Sequence, residues 1–327
     1  MNQPSLELST GNSMPQVGLG FWKVDQPEAA RLLETAVEIG YRHFDCACDY
    51  GNEAEVGQGL SHVLGSGQVQ RDDLWITSKL WNTFHRPEHV RMACEKTLSD
   101  LQLDHLDLYL MHFPIAQKFV PIETRYPPGW FFDPEATDPC MEEDDTPLLE
   151  TWQAMEELVE AGLVKQIGLC NMGTALIREF LKSARIKPSV LQIELHPMLA
   201  QEKLLRFCRE AGIAVTGFSP FGGESYISIG MATQNERLLG HSTIQEIASA
   251  HGKSDAQILL RWAVQRGTSV VPKSSNPVHL RENLDLFCFQ LTEEEMARIT
   301  ALDQNRRFND PGEFCEKAFN TFFPIYE

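Results

Sequence analysis

Short apolar runs alternate along the chain with longer segments whose apolar positions recur every three or four residues. Runs of the first kind fall at 17–21, 42–46, 74–78, 106–111, 166–170, 190–194, 213–218 and 269–271. Between them lie helical patterns. One opens at Asp25-Gln26-Pro27 and carries Ala29, Leu32, Leu33, Ala36, Val37 and Ile39 on one face until Gly40 stops it. A second begins at Asn52-Glu53, and others cover 87–101, 148–161, 175–184, 201–211, 243–251, 256–266 and 278–286. Strands that read as continuous apolar runs and alternate with helices predict a parallel sheet covered by helices. Eight such units predict a closed α/β barrel of the (β/α)8 TIM type, one domain spanning 1–327. A doubly wound sheet is the competitor, but no G-x-G-x-x-G opens a helix after any strand. Ahead of the barrel, residues 5–17 alternate around Thr10-Gly11-Asn12 and predict an N-terminal β-hairpin.

Three connections exceed what a barrel needs: 113–147, 220–240 and 303–327, the last aromatic and turn-rich. Long loops at the C-terminal face of such a barrel usually carry function. The acidic run Glu142-Glu143-Asp144-Asp145 has no His among its carboxylates and reads as a solvated face, not a metal site.

A net charge of -18 argues against a nucleic-acid or anionic-membrane surface, and leaves room for a local basic pocket. No apolar run has the ~20 residues of a membrane span, and the N-terminus lacks the charged and apolar regions of a signal peptide, so a cytoplasmic protein is expected. Eight cysteines without metal-type spacing fit a reducing compartment, with Cys46, Cys170 and Cys288 inside apolar runs where a thiol packs as a small hydrophobe. The Cys46-x-Cys48 pair has no His or Cys partner at ligand spacing.

The polar residues that follow the strands change the picture more. The run 42–46 ends in Asp45, with Tyr50 a short turn beyond; Lys79 follows in Thr-Ser-Lys-Leu-Trp81, and His112 in Tyr-Leu-Met-His-Phe-Pro114. Later strands end in Cys170-Asn171, Gln192-Ile-Glu194, Phe218-Ser219 and Pro272-Lys273-Ser274-Ser275-Asn276. Each is ordinary alone; together, Asp, Tyr, Lys and His converge on the rim where barrels place their chemistry. The set suits proton donation to a carbonyl. A tyrosine of pKa ~10 is a weak donor that a nearby ammonium strengthens. Lys79 can supply that field, Asp45 the counter-charge that keeps a buried lysine protonated, and His112 a hydrogen bond to the substrate oxygen. None is a hydride source, so a nicotinamide is required.

These motifs carry a resemblance. Gly-Tyr-Arg-His-Phe-Asp-Cys-Ala, Asp-Tyr-Gly-Asn-Glu, Ser-Lys-Leu-Trp, Asp-Leu-Tyr-Leu-Met-His-Phe-Pro, Leu-Gln-Ile-Glu-Leu-His-Pro and Pro-Lys-Ser resemble the aldo-keto reductases from hairpin to tail. Tyr126-Pro-Pro-Gly129 and Arg307-Phe-Asn309-Asp-Pro311 are similar to the xylose and aldose reductase branch. The resemblance implies a barrel that binds NADPH, and NADH as well, with Asp45, Tyr50, Lys79 and His112 as catalytic residues and Tyr50 as the general acid. It implies cofactor contacts from Cys170, Asn171, Gln192, Phe218 and Ser219 at the nicotinamide, and from Lys273, Ser274, Ser275, Asn276, His279 and Asn283 at the adenosine. Cys170 stands where the family has Ser, and Phe218 where it has Tyr. His279 replaces a common Arg, and an imidazole is not the fixed, forked cation that grips a 2′-phosphate, so discrimination against NADH is expected to be weak.

Substrate contacts implied are Trp22, Trp81, Phe113 and Trp130 as an apolar mouth, with Asp49 and Asn309 meeting sugar hydroxyls. An open-chain aldose is therefore expected, bound by a monomer or homodimer without nucleic acid, membrane or metal. An aldose 6-phosphate held by Arg125 and Lys118, a general aldehyde, a Schiff-base aldolase using Lys79 or Lys273, and a nucleotide-sensing barrel remain as alternatives.

Overall fold

A computed structural model describes residues 4–326; the reading of the extreme N-terminus rests partly on residues 1–3, which lie outside the described residues. The hairpin forms from β1 (Ser5–Glu7) and β2 (Ser13–Pro15), antiparallel with Leu6 opposite Met14. Eight parallel strands follow: β3 (Leu19–Gly20), β4 (His43–Asp45), β5 (Trp75–Leu80), β6 (Leu106–Met111), β7 (Val164–Cys170), β8 (Val190–Glu194), β9 (Ala214–Phe218) and β10 (Ser269–Val270). Each pairs with the next in chain order. The ring closes where Val17 bridges Val270 in parallel; Gly18 N–H donates to Val270 O at 2.8 Å and Val270 N–H to Gln16 O at 2.8 Å.

The covering helices are α1 (Gln26–Ile39), α2 (Glu53–Gly65), α3 (Pro87–Leu101), α4 (Leu148–Glu160), α5 (Thr174–Ser183), α6 (Glu202–Ala211), α7 (Ser242–His251), α8 (Asp255–Gln265) and α9 (Pro277–Leu284). They pack so closely that a Cβ on Gly57 of α2 would lie 2.0 Å from Asp100 O of α3. Two further helices correct the sequence reading, which ends the helices at 286 and treats the tail as turns. They are α10 (Glu293–Thr300), opened by a capping box between Thr292 and Glu295, and α11 (Pro311–Phe319), with Asp310 as N-cap and Pro311 in the first turn. Pro311-Gly312 reads locally as a turn, yet the same proline suits a helix start.

Alternation along the strands decides what the barrel contains. On β5, Trp75 packs with Leu108, Leu110, Cys170 and Val190 inside the ring. Ile76 and Leu80 join the outer core beneath the helices, and Ser78 Oγ donates to Glu53 Oε1 of α2 at 2.5 Å. Leu8 and Met14 of the hairpin segment complete the inner cluster, so the hairpin plugs the end opposite the loops. β5 also runs to Leu80, two residues beyond the sequence-based end, because Lys79 stays in register with Leu110 of β6. Lys79 is thus a strand residue aimed inward, not a rim residue after the strand.

All eight cysteines are free, and Cys46, Cys48, Cys94, Cys170, Cys208 and Cys315 are buried. Cys288 departs from the expected packing role: it is exposed, 3.1 Å from Lys253 Nζ. The apolar run around it follows α9, and of its residues 286–289 only Leu286 turns fully into the core. Among the described residues no helix is long and apolar enough to cross a membrane.

Candidate active site

The inward parity that places Trp75 low in the barrel places Lys79 at its top, fully buried. Its Nζ donates to Asp45 Oδ1 (2.7 Å), to Cys46 O (2.7 Å) and to Tyr50 Oη (3.0 Å). Asp45 closes β4, and a single 3-10 turn, Cys48–Tyr50, swings the phenol back over Lys79. His112 follows β6, its ring edge-on to Tyr50 at 6.0 Å and to Trp81 at 5.4 Å. The four residues, drawn from the ends of three strands, therefore share one cluster.

Their electrostatics differ from the sequence-based expectation in one respect. Burial works against the Lys79 charge, but the Asp45 carboxylate, through its charge and its hydrogen bond, more than offsets it and holds the ammonium above its ordinary range. Burial pushes the Tyr50 phenol well above its usual value, and Lys79 opposes this without prevailing. Tyr50 is a phenol protonated throughout the neutral range, not one acidified by its neighbour. Desolvation is the cause: the ammonium is already neutralised by Asp45, which leaves less of its field for the phenol.

Beside this cluster the strand ends form a shelf. Gln192 Nε2 donates to Asp45 Oδ2 at 2.7 Å, and the Cys170 thiol to Gln192 Oε1 at 3.7 Å. Burial pushes Cys170 up, so it is a thiol and a weak donor. Asn171, in a left-handed conformation (φ 57°), donates Nδ2 to His112 O at 2.9 Å. Phe218 and Ser219 continue the shelf, Ser219 Oγ sharing a hydrogen bond of 3.0 Å with Tyr226 Oη.

One cavity of about 770 Å³ is lined by this shelf, by Lys273 and by Trp22, Asp49, Trp81, Phe113, Trp130 and Asn309. Asp45, Tyr50 and His112 line it; Lys79 lies behind them. A cavity of this size with a hydroxyl- and amide-bearing shelf and a lysine in its wall fits a dinucleotide, although these residues alone offer no hydride.

The remaining residues expected at the adenosine, Ser274, Ser275, Asn276, His279 and Asn283, are not among those that line the cavity. Asn276 caps α9 by accepting from Val278 N at 2.9 Å, and Ser274 Oγ accepts from Asn276 N at 3.2 Å. Ser275 and His279 are exposed, and Asn283 is buried. The cations offered for a sugar phosphate are engaged elsewhere: Lys118 pairs with Glu142, and Arg125 donates to Phe131 O. Neither lines the cavity.

Sequence reasoning missed several wall residues. Lys23 donates to Ser225 O of the 220–240 loop at 2.7 Å, and Tyr226 lies 5.6 Å from Trp22, ring to ring. Phe314 and Phe319 of α11 pack on Trp130 at 5.3 and 5.4 Å. The Asp310-Pro311 helix start was the available signal for the last two; none existed for Tyr226. Asn309 is set by a distant residue, since Glu194 Oε1 accepts from Phe308 N and Oε2 from Asn309 N, each at 2.8 Å.

Residues 11–304 match the model of the Aldo/keto reductase family. The chain is 50% identical over 315 residues to an NAD(P)H-dependent D-xylose reductase of Candida tropicalis, covering 94% of this chain and 95% of that one. It is 48% identical over 318 residues to the NADPH-dependent D-xylose reductase of Candida boidinii, covering 95% and 97%. Its fold is similar to that of the aldose reductase from Schistosoma japonicum (TM-score 0.86, 39% identity, 99% of each chain). It is also similar to a Bombyx mori aldo-keto reductase in complex with NADP (TM-score 0.84, 34% identity, 99% of each chain).

Proposed function

The chain belongs to the aldo/keto reductase family, and we propose that it reduces the aldehyde of an open-chain aldose such as xylose to the polyol with NADPH or NADH. The observation that carries this is the Tyr50–Lys79–Asp45 chain at the wall of the cavity, a phenol backed by a fully buried, charge-compensated ammonium. The dinucleotide, when bound, supplies the hydride. The protein's part is to hold the carbonyl and deliver a proton. Tyr50 keeps its proton until the carbonyl oxygen becomes basic; the phenolate it then becomes is the acceptor for Lys79 Nζ, whose charge stabilises that product state. His112 orients the oxygen. Cys170, Asn171, Gln192 and Phe218 would hold the nicotinamide ring, and Lys273 with Ser274, Ser275, Asn276, His279 and Asn283 the adenosine half.

The aldose assignment is supported by polar residues in an otherwise aromatic mouth, because Asp49 and Asn309 both line the cavity beside the aromatic residues, where a sugar's hydroxyls could meet them. The relatives named for D-xylose support it as well. A free sugar is favoured over its phosphate because Lys118 and Arg125 are committed elsewhere. A single domain, a cytoplasmic location and a monomer or homodimer belong to the same proposal. The test is NAD(P)H oxidation with a panel of aldoses, aldose phosphates and aromatic aldehydes. Turnover of xylose with both cofactors, NADPH the better, is expected; no oxidation with any aldose would refute the assignment. A cofactor preference of several orders of magnitude would remove the role given to His279.

A further inference from the structure

The proposal above gives Asp49 one task, meeting a sugar hydroxyl, but its position describes a second. Asp49 Oδ1 lies 3.0 Å from His112 Nδ1, with both side chains largely enclosed. Neither atom has a hydrogen-bond partner, and their contact lies off hydrogen-bond alignment. The imidazole has little freedom to turn away. Phe113 stacks on it at 4.9 Å and 24°, Trp81 and Tyr50 meet it edge-on, and its own carbonyl is held by Asn171 Nδ2. The other charges of the cluster, Lys79 and Asp45, are paired with each other.

At 3.0 Å an Nδ1 lone pair and a carboxylate oxygen repel even off alignment, so a carboxylate here favours a proton on Nδ1. A neutral ring protonated at Nδ1 has only a lone pair on Nε2 and cannot donate to a carbonyl oxygen. To donate from Nε2 the ring must carry both protons, and Asp49 is the carboxylate that lies beside it. We infer that Asp49 is a positioning residue for His112: it fixes the proton on Nδ1 and supports the doubly protonated ring that hydrogen-bonds the substrate oxygen, for every aldehyde and not for sugars alone. The kinetic part of this inference rests on the reductase reading.

Two measurements test it. The first is ¹⁵N NMR of histidine-labelled, ligand-free protein, with His112 assigned from its loss in His112→Gln. Nδ1 should be the protonated nitrogen, and Asp49→Asn should shift both ring nitrogens; unchanged shifts would overturn the pairing. The second is turnover of propanal, which has no hydroxyl to meet Asp49. Asp49→Asn should lower kcat/KM about tenfold, part of the ~100-fold or more that a positioned acid–base group supplies. In a His112→Gln background the same substitution should add less than about twofold, the limit expected of groups that act through one another. Loss confined to hydroxylated aldehydes would leave Asp49 as a sugar contact only and sink the inference. If the wild type reduces no aldehyde, the reductase reading fails, while the NMR result still decides the pairing.

Discussion

Gln192 and Asp45, on β8 and β4 across the barrel, are joined by a 2.7 Å hydrogen bond from Nε2 to Oδ2. The residue proposed to meet the nicotinamide therefore also holds the carboxylate that compensates Lys79. Replacing Gln192 by Leu should act on both: weaker dinucleotide binding, by about tenfold for a bond of ~1–1.5 kcal/mol, together with a lower kcat. Fluorescence titration of NADPH and steady-state kinetics on one preparation would check this. A change in binding alone would separate the shelf from the proton-donating cluster.

Tyr50→Phe removes the one hydroxyl that Lys79 Nζ contacts at the cavity wall. NADPH oxidation with xylose should fall by about 10²–10⁴-fold, while the dissociation constant for NADPH changes little. Because burial holds this phenol well above its usual range, wild-type activity should show no loss of the Tyr50 proton between about pH 6 and 9, roughly the span of ordinary assays. A kcat that declined across that span and became flat in Tyr50→Phe would contradict it.

Asp45→Asn leaves a fully buried ammonium without its counter-charge. The expected cost is about 3–5 kcal/mol of stability, read by chemical denaturation, and Asp45→Asn with Lys79→Met should recover part of it. Destabilisation that is simply additive in the double variant would mean the pair is not coupled.

Glu53, buried on α2 between Ser78 and Thr97, is pushed up to about 8, first by desolvation and against the two hydroxyls that bond it. Between its ordinary value of 4.5 and about 8 the native protein holds a proton that the unfolded chain does not. Its contribution to stability is complete below the lower value and is lost as pH rises through the upper one. The fall in Tm from pH 5 to pH 9 should therefore be smaller in Glu53→Gln by about 2 °C or more. Parallel curves for the two proteins would argue that Glu53 is not the group responsible.

Strand parity explains how much of this was legible beforehand. Asp45, Lys79, His112, Cys170, Gln192 and Phe218 all end or follow apolar runs, so one topological inference gathers them at one end of one ring. What depends on pairing between distant segments was hidden. Nothing near Glu194 announces that its carboxylate will hold the backbone of Phe308 and Asn309. Nothing near Trp130 announces Phe314 and Phe319. The balance on Tyr50 is hidden in the sequence for a related reason: residue identity reveals which charges are present, whereas how far burial outweighs them depends on the packed environment.

The closure of the ring by Val17 and Val270 has a consequence for how the chain is made. During synthesis the first strand waits, one edge unpaired, until the last of the eight emerges. Any sheet assembled before that moment would be open, with apolar strands at both margins. Release of the final segment is thus what converts an adhesive nascent chain into a sealed one, and a ribosome stalled before residue 269 should yield product that chaperones retain or that aggregates, even though residues 45, 50, 79 and 112 have all been translated.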